Sequence, residues 1–289
     1  MKRLIVAMTL LCAPSSYSTD LIVFSYNRPM QLYAFLESLA HCATGLTSVS
    51  VLYRADDGQY ERGYQEVQHT FPGVSWRRQG SHPSGDFKPI TLDLMDKGAS
   101  EYVVFGVDDI IFTHCFDFQI CTDAMQRTDA YGFFLRVGKN VTCCQVGKCN
   151  IAHPPLHDEG NLICSWRLSE GQHVWGYPNT LDMTIYKKSD IRSCLYSMGY
   201  QNPNSFESVW CGQTAGIIHR KGLCFEHSVM VNIPTNKVQS FCTGWSLDSY
   251  SPKDLLDMFF QGKKIDIASL FLFKNNSAHI NYEIRIVER

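Results

Sequence analysis

The chain has 289 residues, of which 45% are hydrophobic and 12% aromatic, and a formal net charge of −2. That composition excludes a disordered chain and supports one sizeable core, read as a single domain with elaborations. The near-neutral balance, with no long basic run, argues against nucleic acid or an anionic membrane surface as a partner.

At the N-terminus, Lys2 and Arg3 precede an apolar stretch over residues 4–13, followed by Pro14, Ser15, Ser16, Tyr17 and Ser18. This is the layout of a secretory signal over residues 1–18. The stretch is too short to span a bilayer, so no stable transmembrane segment is expected. Export is the expected localisation. The alternative is that residues 4–11 are a first strand or a mistaken start, which would leave the protein cytoplasmic.

Residues 20–29, DLIVFSYNRP, read as a strand running into a turn, and residues 30–41 have helical spacing with Leu32, Phe35, Leu36 and Leu39 inward. Pro29 suits a helix first turn behind the candidate cap Asn27. A second strand over 49–53 ends at Arg54, Asp56 and Asp57. A helix at 60–69, a short strand at 74–77 and a helix at 87–97 follow. Residues 102–107 form a β-branched and aromatic run, the pattern of a strand buried on both faces, and lead straight into Asp108 and Asp109. Residues 116–127 read as a helix and 131–137 as a strand. The cysteine-rich insertion over 138–165 has the length of a functional loop or lid. Trp166, Trp175 and Tyr177 then lead to a strand at 184–186 and a helix at 189–198. In NPNSFE, Pro203 and Asn204 or Ser205 start a helix with Glu207 in its first turn. A strand at 223–225, a helix at 252–260 and an alternating strand at 280–287 complete the chain.

Repeated β-α-β units of this length imply a parallel, doubly wound half with right-handed crossovers. The polar landmarks Ser25, Asn27, Arg28, Asp56, Asp57, Asp108 and Asp109 all follow strand C-termini, the rim where open α/β sheets bind ligands. Two adjacent carboxylates there repel, and burying them unpaired costs several kcal/mol or keeps one protonated. A Mg²⁺ or Mn²⁺ ion removes that conflict and keeps coordination sites for phosphate oxygens, so a phosphate or diphosphate substrate is expected. The plain alternative is an Asp-Asp turn that ends a strand. No GxGxxG or GxxxxGK[ST] follows a strand, which argues against dinucleotide oxidoreductases and P-loop enzymes, and no GxSxG elbow appears.

The chain has 12 cysteines. In the dense run Cys143, Cys144, Cys149, His153, His157 and Cys164 no CxxC pair occurs, so local disulfides are expected in preference to a zinc site. Asn140 and Asn275 open tripeptides that match the glycosylation acceptor pattern.

The order of SYNRP, a second strand ending in DD, FKPITLDLM, VVFGVDDI, WGYPNTLDMTIY and NSFE resembles nucleotide-sugar glycosyltransferases of the GT-A fold, inverting and family-2-like. VNIPTNKVQ and LLDMFFQGKKIDI resemble a bacterial branch of that group. The resemblance covers the chain from Asp20 to its end. It implies an α/β, GT-A type (Rossmann-like) nucleotide-diphospho-sugar transferase fold over 19–289, one domain with a central mostly parallel sheet and a Cys-rich insertion. The nucleotide-binding half would cover 20–115 and the acceptor half 116–289. The implied activity moves a hexose-like sugar from a nucleoside-diphosphate donor to a glycan or other hydroxyl acceptor with Mn²⁺ or Mg²⁺.

Carried over by position, Ser25, Asn27 and Arg28 would border base and ribose, Asp56 or Asp57 would take the uracil-like edge, and Lys88 would approach the diphosphate. Asp108 would contact the ribose and Asp109 the metal. The usual motif is Asp-x-Asp and this chain has Asp-Asp-Ile, so Asp108 stays open as a second metal ligand. A late histidine can complete such a metal site, which brings in His227, with His219 on the other side of the same strand. Glu207 would be the base that deprotonates the acceptor, with Asp182 as runner-up. The competing reading of Glu207 is a carboxylate complementing the helix dipole. Trp166, Trp175, Tyr177 and Trp210 would stack on sugar rings or belong to the core. Two other functions remain open: a nucleotidyltransferase using the same aspartates, and a secreted, non-catalytic binding protein on a degenerate scaffold, with residues 138–165 as its working surface.

Overall fold

A computed structural model describes residues 18–236 and 249–289. The expected signal segment, apart from Ser18, and Cys242 lie outside the described residues.

Among the described residues nine strands form the main sheet. The first four are β1 (Thr19–Tyr26), β2 (Ser48–Arg54), β3 (Ser75–Arg78) and β4 (Tyr102–Val107). The others are β5 (Gly132–Phe134), β6 (His157–Gly160), β7 (Ile163–Arg167), β8 (Thr184–Lys187) and β9 (Lys221–Phe225). Their spatial order is β6-β7-β9-β5-β8-β4-β1-β2-β3. The run β3-β2-β1-β4 is parallel throughout. From β1 the chain winds outward to β3 and then returns to β4 on the opposite side of β1. The loops after β1 and β4 therefore diverge, leaving a crevice at this topological switch point. Beyond β4 the sheet becomes mixed: β8 is antiparallel to β4 and β5, β9 parallel to β5, and β7 and β6 are antiparallel additions at the edge.

Among the described residues seven α-helices cover the sheet: α1 (Pro29–Cys42), α2 (Gly58–Thr70), α3 (Pro83–Lys97), α4 (Phe118–Thr128), α5 (Lys188–Ser197), α6 (Pro203–Cys211) and α7 (Pro252–Phe260). Because strand side chains alternate between faces, β1 feeds two cores. Leu21 and Val23 join Leu32, Phe35 and Leu39 of α1 in one. Ile22 and Phe24 join Phe87 of α3 and Phe206 and Trp210 of α6 in the other. Each such buried large side chain contributes about 1.5–3 kcal/mol relative to exposure. The second core matters for function, because it seats α6 beside the C-terminal ends of β1 and β4.

The structure departs from the sequence reading at several points. Asn27 does not cap α1; Arg28 occupies the cap position and makes no side-chain capping bond. Asn27 has a left-handed backbone (φ 53°), a conformation asparagine tolerates, and its side chain is turned to Asp56 instead. Phe116–Asp117 is a short strand paired with Ala43–Thr44, and Asp117 caps the helix that follows. Part of the cysteine-rich insertion is β6 and the start of β7, and only a small hairpin, Cys143–Cys144 with Cys149–Asn150, stands apart. The last strand shrinks to Ile286–Glu288. Among the described residues the cysteines are free thiols, so the expected local disulfides are not formed, and no group of three metal-ligating side chains occurs. Asn140 and Asn275, the two glycosylation-pattern asparagines, hydrogen-bond each other at 3.1 Å, and Asn275 is buried. Among the described residues no helix is long and apolar enough to cross a membrane.

Candidate active site

A cleft of about 270 Å³ opens at the switch point. Ser25, Tyr26, Arg28, Asp108 and Asp109 line one end, and Leu181, Asp182, Glu207, Asn232 and His279 the other.

At the first end the two carboxylates after β4 meet the guanidinium that starts α1. Arg28 Nη1 donates to Asp108 Oδ1 at 3.1 Å and to Asp109 Oδ2 at 2.6 Å. Arg28 Nε donates to Asn236 Oδ1 at 3.1 Å, and Nη2 donates to the Asn236 carbonyl. Asp108 Oδ2 accepts from Ser25 Oγ at 2.8 Å and from the Tyr26 N–H at 3.3 Å. Tyr64 hydroxyl lies 2.7 Å from Ser25 Oγ and supports it from below. Both oxygens of Asp108 are thus committed. Asp109 keeps one buried oxygen, Oδ1, with no hydrogen-bond partner among the described residues. Burial pushes the Asp109 carboxyl up to about 7 against the pull of Arg28, and the Asp108 charge adds to the rise.

An orphaned buried carboxylate oxygen is costly unless something completes it. Mg²⁺ and Mn²⁺ need only one or two protein carboxylates when phosphate oxygens and water supply the rest. The donor set here fits such an ion on Asp109 Oδ1, while Asp108 already accepts one hydrogen bond on Oδ1 and two on Oδ2. His227 does not reach the cleft. It is exposed and faces His114, whose protonated form burial and the His227 charge both disfavour. The histidine that lines the cleft is His279, and its Nε2 lies 3.3 Å from Asp182.

Of the acidic pair after β2, Asp56 does not itself line the cleft but is bonded to Tyr26, which does, and to Asn27, which lies outside the lining as well. It accepts from the Tyr26 hydroxyl at 2.5 Å, Asn27 Nδ2 at 3.0 Å and Arg54 Nε at 2.9 Å. Burial raises its pKa, but the bonds from Tyr26 and Asn27 and the Arg54 charge outweigh that and hold it below the usual carboxylate range. Asp57 instead caps α2, accepting from the Gln59 and Tyr60 N–H groups at 2.8 and 3.0 Å. Lys88 does not line the cleft either: its Nζ donates to the Tyr196 and Met198 carbonyls at 2.8 and 2.6 Å, tying α3 to the end of α5.

At the other end, Asn202 caps α6 in a capping box with Ser205, which puts Glu207 beyond the first turn. The helix-dipole reading of Glu207 therefore lapses. Glu207 Oε1 accepts from Thr180 Oγ1 at 2.6 Å and from the Leu181 N–H at 2.9 Å. Oε2 has no hydrogen-bond partner among the described residues. Burial and then the Asp182 charge push the Glu207 pKa up, against the bonds from Thr180 and Leu181. Asp182 is more fully engaged: Oδ1 accepts from Asn232 Nδ2 at 3.2 Å and Oδ2 faces His279. Burial raises its pKa, and His279 more than reverses that. Of the two carboxylates, Glu207 is the one with a free oxygen and a strengthened hold on a proton.

Trp166, Trp175 and Trp210 are each 1% exposed and belong to the core, so they offer no face to a sugar. Tyr177 is partly exposed, and burial and the nearby Glu207 charge keep its hydroxyl protonated. Sequence reasoning missed His279, Asn232 and Asn236. The backbone bridge between Asn232 and His279 brings the histidine into the cleft, and no local pattern announces such a pairing.

No protein-family model matches the chain. Its sequence is 26% identical over 298 residues to the bifunctional glycosyltransferase pgtA of Dictyostelium discoideum, a match covering 91% of this chain and 38% of that protein. The chain thus spans well under half the length of that relative. Two solved structures of S. aureus TarS 1–349 superpose with a TM-score of 0.50 at 11% identity. The complex with UDP covers 72% of this chain and 58% of that one, and the complex with UDP-GlcNAc covers 90% and 68%. Together with the switch-point cleft, these likenesses show that the chain has the α/β, GT-A-like fold of nucleotide-sugar glycosyltransferases.

Proposed function

We propose that the chain transfers a sugar from a nucleoside-diphosphate donor to a hydroxyl group of a glycan or other acceptor, with a divalent cation bound at Asp109. The observation that carries this reading is the opposition across one cleft of Arg28 and the unpartnered Asp109 oxygen on one side and the free Glu207 oxygen on the other. The likeness to a glycosyltransferase over most of the chain, and to TarS structures holding UDP and UDP-GlcNAc, supports it.

Transfer expels a diphosphate, and the developing charge must be neutralised where it forms. A bound Mn²⁺ or Mg²⁺ ion would supply Lewis-acid stabilisation of that charge. Arg28 adds a second, fixed positive charge at the same end. Asn27, Tyr26 and Asp56 form the polar border for base and ribose. Glu207 accepts the acceptor hydroxyl proton through Oε2, while Thr180 and Leu181 hold Oε1 in place. A carboxylate with a raised pKa is the stronger base, and inversion of the anomeric centre follows if the acceptor attacks directly.

Calorimetry of UDP- and GDP-linked sugars with Mn²⁺, repeated on Asp109→Ala, tests the reading. Metal-dependent donor binding that disappears in a folded variant supports it; unchanged binding removes it. Release of pyrophosphate in place of nucleoside diphosphate would favour a nucleotidyltransferase, and no nucleotide binding at all a non-catalytic binding protein. Export through residues 1–18 is a companion proposal, which N-terminal sequencing of the native protein decides. An exported, active enzyme would need donor supplied in its compartment.

A further inference from the structure

Arg136 follows β5 and is 2% exposed. A guanidinium is charged at every accessible pH, so burying it is expensive unless a partner charge or several oriented dipoles compensate. Among the described residues Arg136 has no carboxylate at ion-pair distance. Nη1 donates to Thr184 Oγ1 at 2.9 Å, and Nη2 donates to the Tyr177 carbonyl at 2.8 Å and the Val174 carbonyl at 3.4 Å.

Those three acceptors lie at the two ends of one segment, residues 174–184. Between them the segment supplies both contacts to the proposed base, Thr180 Oγ1 and the Leu181 N–H, and then Asp182 itself. Its backbone is irregular: Met183 has φ 52°, a left-handed conformation that a methionine adopts only when its surroundings impose it. Tyr186 hydroxyl donates to the Pro178 carbonyl at 2.8 Å, and Asn179 Nδ2 donates to the Trp210 and Gln213 carbonyls at 2.9 Å each. These bonds fix the middle of the segment, Trp166 and the backbone partners of Met183 hold its ends separately, and Arg136 bonds to both ends at once.

We infer that Arg136 is a positioning residue of this cleft: one buried guanidinium bonds to both ends of the 174–184 segment, and its charge, with no carboxylate at ion-pair distance among the described residues, is set against the two carboxylates, Asp182 and Glu207, that the segment carries and cradles. The inference rests on the transferase reading for its kinetic consequence but not for its structural one. The charge acts in the direction this requires. Arg136 pulls the Glu207 and Asp182 pKa values down, opposing burial, and lowers that of His279. Four influences face His279: burial and Arg136 lower its pKa, while Asp182 and, more weakly, Glu207 raise it, and the sum is a rise.

The test uses three variants of the full chain. In Arg136→Gln the His279 imidazole, followed by NMR in folded protein, titrates at higher pH than in the parent, because a positive neighbour is gone. In Arg136→Lys the charge remains but the planar fork is lost, so the His279 midpoint stays near the parent value. In both, kcat for sugar transfer falls about 10²-fold with donor KM changed much less, as expected when a base is misplaced by about 1 Å. If Arg136→Gln does not fold, Thr184→Val removes the Arg136 bond at one end of the segment with the arginine intact and lowers kcat in the same way. An unmoved His279 midpoint in folded Arg136→Gln, or full kcat in both Arg136→Lys and Thr184→Val, overturns the inference. If the parent chain transfers no sugar the transferase reading fails, and the titration still decides whether Arg136 sets the charge of the cleft.

Discussion

The two ends of the cleft hold the same ingredients in different arrangements. Each has two carboxylates and a buried arginine. At the end formed by β1 and β4, Arg28 touches both carboxylates, at 3.1 and 2.6 Å. At the end formed by α6 and the 174–184 segment, Arg136 is bonded only to neutral oxygens. Contact engages the carboxylates: both oxygens of Asp108 accept hydrogen bonds, and Asp109 keeps one oxygen without a partner among the described residues. Separation biases the carboxylates electrostatically yet leaves a Glu207 oxygen open for a proton. The first arrangement suits holding fixed charge against a diphosphate; the second suits proton transfer.

The sharpest way to break this contrast is at Glu207. Glu207→Gln keeps the size and the acceptor for Thr180 but cannot take a proton, and kcat is expected to fall about 10²–10⁴-fold with the donor affinity unchanged. Asp182→Asn is expected to cost less, because Asp182 is engaged with His279 and Asn232. Steady-state kinetics with donor calorimetry on both variants decides the point. Equal losses would make Asp182 a partner in the chemistry, and a larger loss in Asp182→Asn would reverse the assignments.

The first end was largely legible in the sequence and the second only in part. The buried run at residues 102–107 ending in two aspartates, and Arg28 after the first strand, are local signals, and the β-α-β repeat dictates that they share a rim. What the sequence could not show is that Arg28 pairs with both aspartates, since that depends on a contact across 80 residues. At the other end Glu207 stood out through NSFE, but its partners Thr180 and Leu181 lie in an irregular segment with no period to read. Arg136 was invisible for a related reason: a strand predicted over 131–137 stops at Phe134, and Arg136, two residues past the break, is buried. His227 and Lys88 were misplaced because residue type in a plausible order does not say which way a side chain points.

Arg28→Met tests the contact end. Removing one partner of a buried ion pair leaves unpaired charge and costs about 3–5 kcal/mol. The melting temperature should drop, and Mn²⁺ should raise it more in the variant than in the parent, because the cation would supply the missing positive charge beside Asp109. Thermal melts with and without Mn²⁺ read this directly. An equal Mn²⁺ response in both proteins would mean that the ion and the guanidinium do not serve the same carboxylates.

The smallest expected effect separates Asp182 and Glu207 by their pH dependence. The Glu207 pKa is raised in the folded state above its ordinary 4.5, by burial and then by Asp182. Its stabilising contribution is therefore fully present below pH 4.5 and is lost as pH rises through the folded value. Asp182 is depressed below 3.8, the bond and charge of His279 outweighing burial, so its contribution is present above 3.8 and is lost only as pH falls through the folded value. Other groups facing this pair are Arg136, Tyr177, Tyr186 and His279. Denaturant unfolding across pH should show a slope that Glu207→Gln flattens above pH 4.5 and Asp182→Asn flattens below 3.8, neither exceeding about 1.4 kcal/mol per pH unit, the limit for one proton. If the two variants flatten the same pH range, the carboxylates titrate as one unit, and the distinction between a free base and an engaged neighbour does not hold.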